Sequence, residues 1–444
     1  MRKEDGVANR TLEESGNRAT ADIGFDAGIR RILAAGTIGT AIEWYDFFIY
    51  GFIGPLVFDQ LFFPKFDQLT ATIAVFATFA VGFLARPLGG FVFGHFGDRL
   101  GRKSVLLCTL VMMGLATMAI GLLPSYDSAG VFATVLLVAL RFIQGFAIGG
   151  ESTAAILIAL ESSPMARRGL SAALIQAAGP IGVVLASVAA LLVARLPQAE
   201  LLSWGWRVPF LISAVLVIVG VYLRLRIEES STFREAPQAE TVPFLEAIRF
   251  HWRSIIIVIF AEMAQTSYFY LTAIFTISFA TRQLGVAKDV ITQAVLIANI
   301  VALFAMPLFG AWSDRIGRKR IFLAGVMIAA ASMFAYYNVL ATRDTLLVTL
   351  AVVLAPGIIH PLMFSTEGSY FPELFPTRIR FTGTSIGKQL GVVLGGGIAP
   401  LVATSLFAQT GTAWAITGYY FALAVGAVIA LSFAHETGKS RLLS

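Results

Sequence analysis

The sequence predicts an all-α membrane protein with twelve transmembrane helices in two six-helix halves. Three observations support this fold class. Of the 444 residues, 57% are hydrophobic and only 14% are charged, whereas soluble domains carry about 25% charged residues. Twelve apolar segments approach or exceed the ~20 residues that a bilayer span requires. One decapeptide occurs twice, as GHFGDRLGRK at 94–103 and as GAWSDRIGRK at 310–319, with six identical positions.

The apolar segments form two groups of six, separated by a charged stretch. We therefore expect an N-terminal half over 29–226, a cytosolic linker over 227–252 and a C-terminal half over 253–435. Duplicated membrane halves usually belong to transporters whose binding site lies at the interface of the halves. The predicted spans are 30–53, 70–94, 104–123, 130–160, 168–194, 206–226, 253–281, 288–312, 319–341, 345–371, 380–408 and 412–435.

The placement of lysine and arginine predicts the orientation, because basic residues concentrate in cytosolic loops. With the N-terminus inside, the cytosolic segments hold 24 basic residues and the outer loops hold six. Both termini and both copies of the decapeptide are therefore predicted to be cytosolic. Residues 1–28 are polar and contain no apolar signal region, so we expect a disordered cytosolic tail. Residues 436–444 are expected to form a short cytosolic C-terminal tail.

Composition and motifs argue against several functions. The net charge of +6 arises mainly in short loops, which indicates topological signals rather than nucleic-acid binding. The sequence has no GxxxxGK[ST] phosphate loop and no HExxH zinc motif. We therefore expect no enzyme activity, no catalytic residue, no cofactor and no metal site. Cys108 is the single cysteine, and we expect it to occupy a core position.

Five further motifs follow one another along the chain. They are EWYDFFIYG from Glu43, ARPLGG from Ala85, RFIQGFAIGGE from Arg141, WGWRVPF from Trp204 and EES from Glu228. Together with the repeated loop, they resemble the metabolite:proton symporter family of the major facilitator superfamily, which includes transporters of osmolytes, shikimate and organic acids. The resemblance covers about residues 30–435. It implies the major facilitator fold, proton-coupled uptake by alternating access, a bacterial-type inner membrane and a monomer.

The repeated loops predict a latch on the cytosolic side. Glycines permit tight turns and close helix approach. The charged residues can form ion pairs or lie at the N-termini of neighbouring helices, and such contacts would form in one conformer and break in the other. Anchoring at lipid headgroups is the alternative. The predicted latch residues are Gly94, Asp98, Arg99, Gly101, Arg102, Lys103, Gly310, Asp314, Arg315, Gly317, Arg318 and Lys319.

Glu43 and Asp46 in the first segment are the leading candidates for proton coupling. A carboxylate inside a span costs about 2.5–3.5 kcal/mol by insertion scales, so it indicates a function by default. Their spacing puts both on one helix face, which Tyr50 joins one turn later. Alternatively, a buried arginine holds one of them permanently. A shift by the repeat offset places Glu262 opposite Asp46 and predicts a further coupling acid in the second half.

Arg141 lies near the middle of the fourth segment. An arginine remains protonated there, so it needs a carboxylate, a substrate anion or water. The resemblance implies a role in coupling, and structural pairing with Glu43 or Asp46 is the alternative. The predicted substrate-binding residues, from both halves, are Tyr50, Arg141, Gln144, Gln265, Tyr268, His360, Lys388 and Gln389.

Three of these residues in the second half have two interpretations each. Lys388 either binds a substrate anion together with Arg141 or neutralises Glu262. His360 either relays protons or forms a hydrogen bond within the core. Tyr268, together with Tyr270, either surrounds a quaternary ammonium group or packs against other side chains.

We predict a secondary active transporter that imports a small polar metabolite, either an organic acid or a zwitterion, by proton symport. Its partners would be the substrate, protons and the lipid bilayer. A drug or metabolite:proton antiporter is the first alternative, because Gly179-Pro180-Ile181-Gly182 partly resembles the antiporter signature of the superfamily. An osmosensing transceptor is the second. We would expect such a protein to carry a folded cytosolic domain or a coiled coil beyond the predicted short C-terminal tail.

Overall fold

The computed structural model describes residues 27–225 and 243–438. All regular secondary structure in these two ranges is helical. Most of the predicted N-terminal tail, the first part of the predicted linker and the end of the predicted C-terminal tail lie outside the described residues.

The described part of the first half consists mainly of six long helices, numbered α1 to α6. They are Ala27–Phe62 (α1), Gln68–Leu100 (α2), Arg102–Gly121 (α3), Val131–Ser162 (α4), Met165–Val193 (α5) and Gln198–Leu225 (α6). A single helical turn, Tyr126–Ala129, precedes α4. α1 bends by 70° between Gly54 and Leu56, where the sequence has a proline, the usual cause of a sharp helix kink.

The described part of the second half has the same organisation. Its helices are Phe244–Thr281 (α7), Lys288–Ile316 (α8), Arg318–Ala341 (α9), Thr345–Glu373 (α10), Thr377–Thr410 (α11) and Trp414–Ser432 (α12). The first of these begins inside the predicted linker, and its backbone leaves helical geometry at His251, with φ −122° and ψ 20°.

Each of the twelve predicted spans coincides with one of these helices. By length and apolar composition, ten helices in the described ranges can cross a membrane, and the bent α1 can supply an eleventh. α2 covers the second predicted span. Most of the helices extend past the predicted boundaries, because helical hydrogen bonding continues after the chain leaves the apolar layer.

Four helices contain a π-helical turn. These turns are Leu201–Gly205 in α6, Tyr270–Phe275 in α7, Ala355–Ile359 in α10 and Val393–Gly397 in α11. A π-helical turn redirects side chains and often marks a functional site. The turns of α7 and α10 contribute Tyr270 and Pro356 to the cavity described below.

The two halves contact each other mainly through α2 against α11 and α5 against α8. Each half also has its own apolar core. Small residues let the helices within a half approach closely. A Cβ atom added at Gly145 of α4 would lie 1.9 Å from the carbonyl oxygen of Gly82 in α2. The glycines of the fourth span are therefore required for helix packing.

Cys108 is exposed on the surface of α3, so the expectation that it occupies a core position is wrong. The lipid-facing side of a membrane helix is as apolar as its packed side. Hydrophobicity along the sequence therefore could not distinguish the two positions.

Candidate functional site

A cavity lies between the two halves. It is lined by α1, α2, α4 and α5 of the first half and by α7, α8, α10 and α11 of the second. It contains about 890 Å³ of empty space, a value that includes its open part. Among the residues predicted from sequence, Glu262, Gln265, His360, Lys388 and Gln389 line it.

The charged cluster at the cavity combines one lysine with two carboxylates. Lys388 Nζ of α11 lies 2.8 Å from Glu367 Oε1 of α10, and both side chains are almost fully buried. Glu262 of α7 neighbours both groups and accepts a hydrogen bond from Thr266 Oγ1 through its Oε1 atom at 2.7 Å. Its other oxygen, Oε2, has no hydrogen-bond partner among the described residues. Lys388 therefore neighbours two carboxylates and forms an ion pair with one of them, Glu367.

Two amide side chains connect the halves beside this cluster. Gln176 of α5 donates from Nε2 to Glu367 Oε1 at 2.9 Å and to the carbonyl oxygen of Phe364 at 3.1 Å. Gln389 of α11 donates from Nε2 to the carbonyl oxygen of Gly149 in α4 at 2.9 Å. A separation of the halves at this level would have to break these bonds.

His360 is buried beside the cluster. Its Nε2 atom lies 2.6 Å from Gln265 Nε2. The imidazole ring and the side-chain amide group of Gln265 therefore share a hydrogen bond. Phe269 and Phe364 flank the ring, with centroids 5.0 and 5.1 Å away. His360 therefore forms a hydrogen bond within the second half and also lines the cavity.

Aromatic rings form much of the remaining wall, and they include Trp44, Phe269, Tyr270 and Phe364. Tyr268 does not line the cavity. Its hydroxyl lies 2.8 Å from Ser332 Oγ, and its ring packs against Tyr420 in the core of the second half. A quaternary ammonium group in the cavity would therefore contact Tyr270 and not Tyr268.

Arg141 and Gln144 of α4 lie behind the cavity wall, within the first half. Arg141 Nη1 donates to Gln144 Oε1 at 2.9 Å, and Gln144 Nε2 donates to Thr117 Oγ1 at 2.7 Å. The guanidinium group also stacks on Tyr50, 4.0 Å from the ring centroid, and Tyr50 shares a hydrogen bond with Thr78.

Glu43 and Asp46 both face α6, as their spacing on one helix face predicted. Glu43 Oε1 lies 2.9 Å from Arg224 Nη1, and both side chains are buried. Asp46 accepts a hydrogen bond from the hydroxyl group of Ser213. Neither carboxylate lines the cavity. The arginine beside Glu43 matches the structural alternative considered for that residue, whereas Asp46 has no ion-pair partner among the described residues.

The second copy of the repeated loop joins the halves on the side that we call the latch side. Asp314 of α8 accepts hydrogen bonds from the backbone N–H groups of Gly169 and Leu170 in α5, at 2.7 and 2.9 Å. Arg318 lies 3.1 Å from Asp314 and pairs with Glu373. The carboxylate therefore binds the N-terminal end of a helix of the other half, where helix dipoles favour negative charge.

One further ion pair on the latch side connects the halves, and two lysine contacts there each lie within one half. Arg380 of α11 pairs with Glu161 of α4 at 2.8 Å, and both side chains are buried. Lys319 donates to the carbonyl oxygen of Ala434 at 2.7 Å, and Lys103 donates to that of Leu225 at 2.9 Å. Arg99 and Arg315 are exposed. The side chains of Asp98 and Arg102 lie outside the described residues.

The repeated glycines have specific steric roles. A Cβ atom at Gly310 would lie 2.3 Å from Ala173 Cβ, and one at Gly94 would lie 3.1 Å from Thr382 Cα. Both contacts cross between the halves. Gly101 and Gly317 adopt φ values of 97° and 118° between consecutive helices, a conformation that favours glycine.

Comparison with known proteins identifies the family. The family described as "Sugar (and other) transporter" matches residues 32–240, and "Major Facilitator Superfamily" matches residues 257–442. The inner membrane metabolite transport protein YhjE of Escherichia coli (strain K12) is 37% identical, covering 93% of this chain and 95% of its own. The shikimate transporter of the same strain is 34% identical, with 88% and 91% covered. This chain belongs to the metabolite:proton symporter family of the major facilitator superfamily.

A solved structure shows the same fold. The proton:xylose symporter XylE superimposes with a TM-score of 0.74 and 18% identity, covering 93% of this chain and 98% of that one. The predicted major facilitator fold is therefore confirmed. The family also shows that this chain is a multi-pass membrane transporter and not an enzyme.

Three polar residues of this family member were missed by the sequence analysis as site residues. Glu367 pairs with Lys388, Gln176 connects the halves, and Arg86 of α2 lines the cavity. Glu262 and Lys388 were selected because they are charged residues inside predicted spans. The same criterion could have identified Glu367 and Arg86. Gln176 is uncharged and gave no comparable signal.

Proposed function

We propose that this protein imports a small organic acid or a zwitterion together with a proton, by exposing its cavity alternately to the two sides of the membrane. The observation that carries this proposal is the cluster of Glu262, Glu367 and Lys388 at a cavity between the halves. Carboxylates in the membrane interior that can exchange a proton beside a substrate site are a typical basis of proton coupling.

Charge balance would link the proton to the substrate. Among the described residues at the cavity, Arg86 and Lys388 are cationic, and Glu262 and Glu367 are carboxylates. The set is neutral when both carboxylates are ionised and carries one positive charge when one is protonated. Because charges interact strongly in a low-dielectric interior, protonation would favour binding of a substrate carboxylate. By linkage, the substrate would equally favour protonation.

Glu262 is the acid that we assign to proton transfer. It lines the cavity, and its Oε2 atom has no hydrogen-bond donor among the described residues. Glu367 is not among the residues that line the cavity, and its Oε1 atom is held by both Lys388 and Gln176. Asp46 is the second candidate, because it is buried in the first half beside Ser213.

Alternating access would use the contacts between the halves. In this conformation, Asp314 is bonded to α5 and Arg380 to Glu161 on the latch side, which is closed. Transfer to the other conformer would break these contacts and the bonds of Gln176 to α10. Neutralisation of Glu367 would weaken its hydrogen bond with Gln176, so the charge state of the cluster would influence the contact between the halves.

The proposed substrate class follows from the cavity wall and from the relatives. A cation-containing cavity with aromatic walls suits a compact ligand that carries a carboxylate and an apolar or ring portion, and one relative is named a shikimate transporter. An anion moving with one proton transfers no net charge, whereas a zwitterion with one proton transfers one positive charge. The second case gains about 2.3 kcal/mol per 100 mV of membrane potential.

We further propose that both termini and the latch side face the cytosol and that the protein acts as a monomer. The excess of basic residues in the segments assigned to the cytosol supports this orientation. The cavity is formed by the helices of one chain, so a single copy contains all the residues that the proposal requires.

The test starts with a thermal-shift screen of organic acids, amino acids and betaines, because ligand binding raises the apparent stability. The ligand found is then used in proteoliposomes with an imposed pH gradient. We expect Glu262→Gln to lose accumulation against a concentration gradient while retaining exchange of preloaded substrate. Asp46→Asn is the comparison, and we expect it to retain proton-dependent accumulation.

Proton-dependent accumulation by Glu262→Gln would refute the assignment of the coupling acid. If Asp46→Asn alone uncoupled transport, the proton site would lie in the first half. If the wild-type protein took up its ligand equally well with and without a pH gradient or a membrane potential, proton symport itself would be wrong.

A further inference from the structure

We propose that Arg86 of α2 binds the carboxylate group of the substrate and thereby sets the specificity for acids. This inference rests on the proposed function and deepens it. The sequence analysis assigned the arginine contact to Arg141, but of these two arginines only Arg86 lines the cavity.

The guanidinium group of Arg86 is available for a ligand. It lies over two rings, with its central carbon 4.4 Å from the centroid of Phe47 and 4.3 Å from that of Phe83. Its buried Nε atom has no hydrogen-bond partner, and the described residues offer the group no ion pair within 4 Å. A permanent cation inside the membrane is costly unless an anion or water compensates it. A substrate carboxylate would supply this compensation.

Arg141 has a different environment. Its guanidinium group is bonded to Gln144 and stacked on Tyr50 inside the first half. It also lies over Phe47, 4.9 Å from the ring centroid, so the two arginines share one aromatic ring. Because like charges repel in a low-dielectric interior, an anion at Arg86 would relieve this repulsion. Arg141 would therefore act as a positioning residue that strengthens anion binding at Arg86.

Residues on the opposite wall of the cavity would link substrate binding at Arg86 to proton uptake. Tyr270 and Glu262 of α7 lie within electrostatic range of Arg86, but neither forms an ion pair with it. A substrate carboxylate at Arg86 would add negative charge near Glu262. The Glu262 carboxylate would then take up a proton, which joins its oxygen and removes its charge, and release it when the substrate leaves.

An arginine suits this position better than a lysine would. The planar group can contact two aromatic rings and still present parallel N–H donors to a carboxylate. A lysine ammonium would keep the charge but lose both the fork of donors and the stacking geometry. Arg86→Lys therefore separates the requirement for charge from the requirement for geometry.

The experiment compares two ligands on purified protein. The probes are the carboxylic acid found in the thermal-shift screen and its uncharged methyl ester. We expect Arg86→Gln and Arg86→Lys to weaken binding of the acid by about 10- to 100-fold, as for loss of hydrogen bonds between charged groups. We expect binding of the ester to change by less than about threefold. Arg195→Gln, at an exposed position outside the cavity, is the control.

A second measurement does not depend on a known ligand. Phenylglyoxal modifies accessible guanidinium groups, and peptide mapping would show which arginines react. We expect modification at Arg86 and at exposed Arg195, with Arg141 protected, and slower reaction of Arg86 when the acid is present. Equal weakening of acid and ester binding in Arg86→Gln, or an unmodified Arg86, would overturn the inference. If no carboxylic acid binds to the wild-type protein, the proposed substrate class is wrong. In that case the reaction with phenylglyoxal alone tests whether Arg86 is accessible.

Discussion

The buried charges of this transporter belong to two types of environment. Some form direct pairs away from the cavity, such as Arg224 with Glu43 at 2.9 Å and Arg380 with Glu161 at 2.8 Å. Others lie at the cavity, where Lys388 neighbours two carboxylates and Arg86 has none within 4 Å among the described residues. The cavity group combines a cation that has no ion-pair partner among the described residues with a lysine that neighbours two carboxylates, so it is the one suited to a changing occupant.

At the residue scale, we predict that Glu43→Gln lowers stability. The change removes the carboxylate that lies 2.9 Å from the buried Arg224 guanidinium group, and breaking a buried pair costs about 3–5 kcal/mol. Thermal unfolding of the purified protein in detergent measures the effect. The matched control is Glu43→Gln combined with Arg224→Met, which removes both charges and should recover much of the loss. If Glu43→Gln unfolded at the wild-type temperature but abolished proton coupling, Glu43 would be the coupling acid.

At the scale of elements, the latch depends on how closely α8 approaches α5. Asp314 reaches the backbone of Gly169 and Leu170 only because the two helices are in close contact at Gly310. The same sequence unit contains the glycine and the carboxylate, which explains why the repeated loop retains both. Electrostatic pairing and close packing therefore act together in the latch.

Gly310→Ala should open the latch side. The added Cβ atom would lie 2.3 Å from Ala173 Cβ and 2.8 Å from the carbonyl oxygen of Gly169, and overpacking costs about 1–3 kcal/mol. Spin labels at exposed Met165 and Arg315, at the latch-side ends of α5 and α8, would report the separation. We expect a larger population at long distance in Gly310→Ala.

The control for this experiment is Gly418→Ala in α12, because no heavy atom lies within 4 Å of the added Cβ atom. Gly418→Ala should leave the distance distribution unchanged. The latch interpretation would be contradicted if Gly310→Ala left the distribution unchanged while the protein remained folded.

At the scale of the whole molecule, the two halves enclose one cavity with equivalent helices. The first, second, fourth and fifth helices of each half line it, so the wall has the twofold character of the duplicated fold. The charges do not follow this symmetry, because Glu262, Glu367 and Lys388 all belong to the second half. The first half contributes Arg86 and the amide group of Gln176. Relative movement of the halves would therefore change the distance between the proton-binding cluster and the proposed anion contact.

Both copies of the repeated loop should be accessible from the same side of the membrane. Arg99 and Arg315 occupy equivalent positions of the two repeats and are exposed. Single cysteines at these positions, in a Cys108→Ser background, would be treated with a membrane-impermeant maleimide. We expect labelling of both in inverted vesicles and of neither in right-side-out vesicles. Labelling from opposite sides would refute the topology, and labelling of both in right-side-out vesicles would reverse the orientation.

The sequence by itself determined the span positions and the two-halved fold, because hydropathy is a local property and the bilayer sets the required length. The sequence also identified Glu262, His360 and Lys388, which lie at the cavity. A polar residue inside an apolar segment can be recognised without knowledge of the tertiary structure. The repeated decapeptide likewise identified Asp314 and Gly310, which join the halves.

The tertiary structure decided which buried groups meet. Glu43 pairs with Arg224, 181 residues away, Lys388 pairs with Glu367, and Arg86 rather than Arg141 lines the cavity. Tyr268 packs in a core while Tyr270 lines the wall, because the rotation of each helix about its axis determines where a side chain points. That rotation depends on packing against neighbouring helices. In a membrane helix the lipid side and the packed side are similarly apolar, so no local pattern in the sequence encodes it.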